Sequence, residues 1–552
     1  QSVVSCVCTA RRGAAGGRAS HRRQIHCRRM LSLVILLSLT CGPVVQSVRI
    51  LAVFPFPSKS HSILQYAILE ALVNRGHEVV VYGPYPPPHS ATNITYRELT
   101  TSLFHLQKTW EFEKFKEICT KEAFFGFGIG VLWEVGLTLS EEVLKNSKIT
   151  ELINSSEKFD LVFMEPLFAQ ESLIVFGHRF KAPVINFQGF GTWSVLNHVA
   201  GNSLSIPYVP DSRSFPFSNR MSFLERLQNA VSTMITLSFY HISYLPKHQR
   251  LIQQYYKNSS VPPILDMLRD ISLTLANAHQ TLEYPRPYTP NIIPIGSAHM
   301  SYHQSDLPKT IKDFLDGAKE GFIFFSLGTI VPAHALPNDY IQAFINSFRK
   351  LHKKVLWKFG IEHLPGLPKN VKLTKWVPQQ AVLDHPNCVL FITHGGVFSQ
   401  YETLHAGVPV VGIPFFGDQR YNVKYYEHLG VGVKLDFSSI TEETFHNALS
   451  TVLNDTRFRE NAKRMSAIVQ DKPMAALDSA VFWVEYVLQH GGQHLRPSSA
   501  LQPWYQLWLL DVAAAILTLL TIASFVLYQL GKLLNVCIRN KAINVTRNKK
   551  RK

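Results

Sequence analysis

The sequence predicts an α/β protein: two doubly wound domains facing one another across a cleft, followed by a single membrane-spanning helix near the C-terminus. Three observations predict it. A strand–helix–strand rhythm with buried character runs through the first half of the chain. The same rhythm restarts near residue 321, and residues 512–530 form a run of 19 without a charge. With 552 residues, 46% of them hydrophobic, the chain has room for about two to four domains and too much apolar content to be disordered.

In chain order, residues 1–29 open on Gln1, carry seven arginines and no acid, and show no amphipathic period. They are expected to be a leader outside the native protein, with Met30 as its start. Residues 30–47 read as a cleaved signal peptide. Arg28 and Arg29 precede the apolar run 31–39, and Gly42, Pro43 and a small-residue site ending at Ser47 follow it. An uncleaved anchor or a buried strand is the other reading, and the shortness of the run favours cleavage.

An N-terminal domain is expected over 48–295. Residues 48–54 read as a buried strand and 55–59 as a loop. A helix follows that Ser60 can cap, with Ile63, Leu64, Ala67, Ile68, Ala71 and Leu72 at helical spacing, and Gly76 ends it before a strand at 78–82. Strands at 159–164 and 183–187 continue the parallel pattern. Between them, residues 101–135 hold eight aromatic side chains without a clean period. That stretch reads as the lining of an apolar pocket, as a membrane-resting segment, or as ordinary packing of an inserted helical segment.

A second domain is expected over 296–490, with strands at 321–327, 354–359, 388–393 and 408–413 and helices at 339–352 and 399–406. Two such domains would bring the carboxyl ends of both strand sets to one cleft. Residues 491–510 then lead, through the interfacial aromatics Trp504, Tyr505 and Trp508, into a span at 511–531; a helix over the uncharged run covers roughly 28 Å. The tail, 532–552, holds eight basic residues and no acid, which places it in the cytosol and the body in the lumen, as a single-pass type I protein. Its closing Lys549-Lys550-Arg551-Lys552 resembles the dilysine signal for retention in the endoplasmic reticulum, with simple membrane-surface charge as the alternative. Sequons at Asn93, Asn154, Asn258 and Asn454 fit a luminal body. Only Cys119 and Cys388 remain in that body, so neither a disulfide scaffold nor a cysteine metal cluster is expected. The formal charge of +17 belongs to the two ends: without them 41 basic residues face 39 acidic ones, which withdraws nucleic acid as a partner.

The chemistry concentrates in the 44 residues from 376 to 419. A strand ending at Thr393 turns through His394, Gly395 and Gly396 into a helix, where unpaired amides and the positive helix end converge on a position suited to a diphosphate. Glu402 lies on that helix within reach of a ribose diol, and Trp376, at the end of a short strand, offers a flat face for a base. This segment resembles the signature of the UDP-glycosyltransferases, close to the animal UDP-glucuronosyltransferase group and its insect members. Phe325-Ser326-Leu327-Gly328-Thr329, Val355-Leu356-Trp357-Lys358 and Leu367-Pro368-Lys369-Asn370-Val371 extend the match, which covers nearly everything from Val48 to the tail.

The resemblance implies a GT-B-like pair of Rossmann-like domains. It implies that Trp376 stacks on uracil, Gln379 contacts the uridine, His394 with Gly395 and Gly396 holds the diphosphate, and Glu402 binds the ribose. Ser326, Gly328 and Thr329 would flank the phosphates. Asp418 and Gln419 would take hydroxyls of the transferred sugar, a helix N-cap and polar first turn being the structural alternative. His61 would be the general base and Glu165 the carboxylate that orients it, where vertebrate members carry aspartate. Phe398 replaces an asparagine common in vertebrate relatives, a hydrogen bond that Ser399 can supply. The chain has no Asp-X-Asp motif, so a metal-independent inverting transfer is expected, with no metal and no cofactor beyond the donor substrate. The donor is UDP-glucose or UDP-glucuronic acid, a choice the residues leave open, and the acceptor a small lipophilic alcohol, phenol or acid. Self-association is left open as well. The alternative is a membrane-anchored binding protein that keeps the fold without turnover.

Overall fold

Both predicted sheets form, and every strand pair in them is parallel. A computed structural model of the chain describes residues 47–88, 93–106, 130–211, 215–256, 260–301, 306–329, 331, 333 and 336–549. The leader, nearly all of the signal, much of the aromatic segment, Cys119, Asn258 and the last three basic residues lie outside the described residues.

The first sheet has the order β3-β2-β1-β4-β5-β6-β7. Its strands are β1 (Arg49–Val53), β2 (Glu78–Gly83), β3 (Ile94–Glu98), β4 (Leu161–Met164), β5 (Val184–Gln188), β6 (Leu273–Ala276) and β7 (Ile292–Pro294). Because helices cover both faces, the central strands are apolar on both sides rather than alternating. Leu51, Val53, Val162 and Met164 enter one core, and Ile50, Ala52, Leu161 and Phe163 enter the other. The first helix, Lys59–Asn74, packs in the second of these cores. Its cap is Ser58, not Ser60: the Ser58 hydroxyl accepts from the His61 amide at 3.4 Å. The loop therefore ends two residues earlier than the apolar spacing suggested.

The second sheet has the order β10-β9-β8-β11-β12-β13. Here β8 is Phe322–Ser326, β9 Lys354–Lys358, β10 Val371–Thr374, β11 Cys388–Thr393, β12 Val410–Gly412 and β13 Gly432–Lys434. Strands β3, β6, β7 and β13 were not anticipated. β3 is a polar edge strand, and the other three are three or four residues long, too short to show a period.

The helix Ala476–His490 follows the second sheet in sequence yet packs on the first. Ala480, Val484 and Val487 join the core around Ile50 and Leu64, and Arg75 pairs with Glu485 at 2.9 Å. The terminal helix, Leu510–Lys549, is 40 residues long, and its stretch Leu510–Asn544 is apolar and long enough to cross a membrane, with none of it buried against the protein. It runs beyond the expected span into the basic tail, which contains no proline to stop it. Asn93, Asn154 and Asn454 are all exposed.

Candidate active site

Ligands of open α/β sheets bind where neighbouring strands send their connections in opposite directions. In the first sheet that point lies between β1 and β4, and in the second between β8 and β11. His61, Glu165, Ser326, Gly328, Thr329 and the residues from His394 to Glu402 fall at these two points, whereas Trp376 and Gln379 follow β10 and Asp418 and Gln419 follow β12.

On the first side, the loop after β1 leads to His61 and the end of β4 leads to Glu165. The Nδ1 of His61 lies 3.1 Å from Oε2 of Glu165, and both side chains are buried. A carboxylate only accepts, so the neutral tautomer that fits this contact has its proton on Nδ1 and its lone pair on Nε2. The second oxygen, Oε1, accepts from the Gly189 amide at 2.8 Å. The extra methylene of glutamate is thus accommodated, with both oxygens engaged. A Cβ at Gly189 would stand 2.5 Å from the imidazole, so only glycine leaves the ring in place. Four phenylalanines surround it, Phe56, Phe168, Phe190 and Phe398, with ring centroids 5.2–6.2 Å from that of His61. Three come from the first half and Phe398 from the second.

On the second side, the helix Val397–Ala406 starts at Gly396 with no side chain capping it, which leaves its first amides open to an anion. The His394 imidazole packs against Gly328, where φ is +79° and a Cβ would come within 2.6 Å of the ring. The turns after β8 and β11 thereby touch. Burial, reinforced by nearby Lys358, pushes the His394 pKa down to about 3, so the ring is neutral, and its Nδ1 is buried without a hydrogen-bond partner among the described residues. Ser326, at the end of β8, accepts from the Gly328 amide at 3.3 Å, and Thr329 is exposed.

Lys358, at the end of β9, is a functional candidate that sequence reasoning quoted only as part of a pattern. Its ammonium donates to the Gly328 carbonyl at 3.0 Å, beside the same turn, and burial lowers its pKa to about 8. The signal that finds it is strand order, since β9 neighbours β8, and strand order is not written in local sequence.

Gln379, Ser399 and Glu402 come together: the Gln379 amide donates to Ser399 Oγ at 2.9 Å and to the Glu402 carboxylate. Burial raises the Glu402 pKa to about 7, against the opposing effects of Gln379 and Lys358. Trp376 is 49% exposed, and the Lys59 ammonium from the first helix lies 5.6 Å from its ring centroid. Asp418 precedes the helix Gln419–Leu429 but caps no amide of it with its side chain; its carboxylate accepts from Asn422, whose amide also donates to the Gly395 carbonyl at 2.9 Å. Gln419 accepts from the Phe415 amide at 2.9 Å. Asn422, unforeseen in the sequence, therefore ties the expected sugar loop to the expected diphosphate turn.

The halves are joined by polar contacts as well: Tyr401 donates to the Asn277 carbonyl at 2.8 Å, and Arg286 donates to the Tyr421 hydroxyl at 2.9 Å and the Thr192 carbonyl at 3.2 Å. Among the described residues, no group of three or more His, Cys, Asp or Glu side chains is placed to hold a metal ion.

Comparison with known proteins identifies the family and the fold. The family model for UDP-glucoronosyl and UDP-glucosyl transferase matches residues 50–548. UDP-glycosyltransferase UGT5 of Dactylopius coccus is 35% identical over 489 residues, covering 87% of this chain and 91% of its own. UDP-glucuronosyltransferase 1A9 of Homo sapiens is 32% identical over 519 residues, covering 90% and 94%. Among solved structures, the glycotransferase of kitacinnamycin superposes with a TM-score of 0.54 at 18% identity, over 82% of this chain and 100% of that one, a likeness of fold. With its two parallel Rossmann-type sheets in the GT-B arrangement, the chain belongs to the UDP-glucuronosyl and UDP-glucosyl transferase family.

Proposed function

We propose that the protein is an inverting glycosyltransferase that moves a hexosyl group from UDP-glucose or UDP-glucuronic acid to a small lipophilic hydroxyl or carboxyl acceptor. The observation that carries this is the His61–Glu165 pair, 3.1 Å apart and enclosed by phenylalanine rings at the switch point of the first sheet. His61 Nε2 takes the acceptor proton while the acceptor oxygen attacks the anomeric carbon. The bond from that carbon to the diphosphate oxygen breaks, and the electron pair leaves on UDP. The open amides at the start of the helix Val397–Ala406, neutral His394 and the Lys358 ammonium supply what the leaving diphosphate needs, and Trp376, Gln379 and Glu402 hold the uridine. Asp418 and Gln419 face the sugar. The resting place is the endoplasmic reticulum membrane, with Leu510–Asn544 as the anchor and the catalytic body in the lumen.

His61→Ala should abolish transfer while leaving UDP affinity intact. Full turnover in that variant would refute the assignment of the base. A panel of UDP-sugars offered to microsomes bearing the protein distinguishes glucose from glucuronate, and UDP release with mixed phenolic acceptors separates the enzyme from a binding protein that has lost turnover.

A further inference from the structure

The helix Phe223–Phe239 and the turn that continues it are built inside out. Their polar side chains Asn229, Thr233 and Thr236 are buried against the protein, whereas Leu224, Leu227, Val231, Met234, Ile235 and Ile242 stand 47–78% exposed. Asn229 explains the inversion on the inner face: its amide donates to the Ile206 and Val209 carbonyls, and its oxygen accepts from the Asp211 amide. The exposed residues recur at three- and four-residue spacing, so they form one stripe along about five turns. An apolar stripe of that length facing water is a surface awaiting a partner.

Its charge pattern and its place in the fold identify the partner. From 227 to 246 there is no Asp, Glu, Lys or Arg, and exposed Arg220, Arg226, Lys247 and Arg250 flank the stretch. The one acid of the helix, Glu225, is engaged in the capping box with Ser222. Apolar side chains between basic ends suit a helix lying in a bilayer interface among anionic headgroups.

The stripe is also fastened close to where the chain enters the membrane. Its far end reaches His198 through a 2.8 Å contact with His241, and His198 belongs to the short helix Ser194–Ala200. Gly201, immediately after that helix, packs against Ala500 and accepts from Ser499, ten residues before the terminal helix begins. The residues that lead from there to that helix include exposed Leu501, Trp504, Trp508 and Leu509.

We infer that the stripe over 223–242 is a second membrane contact, which lays the half carrying His61 against the surface of an anionic lipid bilayer. This rests on the reading of Leu510–Asn544 as the anchor. The test uses the full-length chain in nanodiscs of phosphatidylcholine and phosphatidylserine carrying a phospholipid with a photoactivatable acyl chain, with adducts mapped by peptide mass spectrometry. Adducts are expected on 223–242 as well as on 510–530. Met234→Ser with Ile235→Asp should lose most of the former, keep the latter and keep glycosyl transfer. Adducts on 510–530 alone would overturn the second contact and leave the anchor standing, and adducts nowhere would overturn both. Cross-links between copies through 223–242 in place of lipid adducts would overturn it in favour of a dimer.

Discussion

The ring of Phe398, carried by the second half of the chain, lies with its centroid 6.0 Å from that of His61 in the first half. Phe398 follows by two residues the glycine that starts the candidate diphosphate helix, so on the proposed function one short segment would both meet the donor and cover the base. An apolar cover keeps water from competing with the acceptor. Phe398→Ala should raise the amount of UDP released without glycoside formed, with UDP affinity unchanged, and Phe398→Leu should restore coupling. Assaying both products checks this; an unchanged ratio in the alanine variant would show that the ring has no such role.

Glu165 holds His61 and the Gly189 amide with different oxygens. In Glu165→Gln, one side of the group becomes a donor, and directing it at Nδ1 forces the proton onto Nε2. Turnover should fall by about 10²–10⁴. UDP affinity should hold, as titration calorimetry can show. Glu165→Asp shortens the reach and should fall between the two.

If Trp376 carries the uracil, Trp376→Ala removes a stack worth about 1–3 kcal/mol, and the Kd for UDP should rise about 5–150-fold. Turnover at saturating donor should change far less. An unchanged Kd would reassign the half-exposed ring.

Glu402 gives a pH dependence with a definite sign. Its carboxyl is raised to about 7 in the fold, so its protonated form is favoured there. Its contribution to stability is fully present below the ordinary carboxylate range and is lost as pH rises toward 7. Glu402→Gln should therefore be more stable than the parent at pH 8, by about 2–3 kcal/mol, and equal to it at low pH. Thermal melts at several pH values test this, and the same variant should bind UDP more weakly, since the ribose loses an ionised acceptor. Lys358 works the other way: its ammonium is held down to about 8, so UDP affinity should fall above that pH, and Lys358→Met should remove the decline.

The clustering of the second-half residues was legible because they lie in one stretch. Trp376 to Gln419 carries strand end, glycine turn and helix start in one run, and β11 has the predicted bounds, Cys388–Thr393. The His61–Glu165 pair was legible only in part. His61 and Glu165 are 104 residues apart, and nothing local says that β1 and β4 are neighbours. The cage of Phe56, Phe168, Phe190 and Phe398 draws on four segments, so no spacing announces it. Lys358 and Asn422 escaped for the same reason. The inverted helix Phe223–Phe239 escaped for another: periodicity reports a two-sided helix and not which side meets the core.

The return of Ala476–His490 to the first sheet has a mechanical consequence. The chain passes from the first sheet to the second and back again before the terminal helix begins, so the second half is suspended between two crossings. With the proposed anchor, the bilayer is then the fixed frame and the half carrying His61 a stationary jaw. On the proposed function, opening to admit a nucleotide sugar or release UDP would be a swing of the other jaw through water, a motion that need not drag lipid with it.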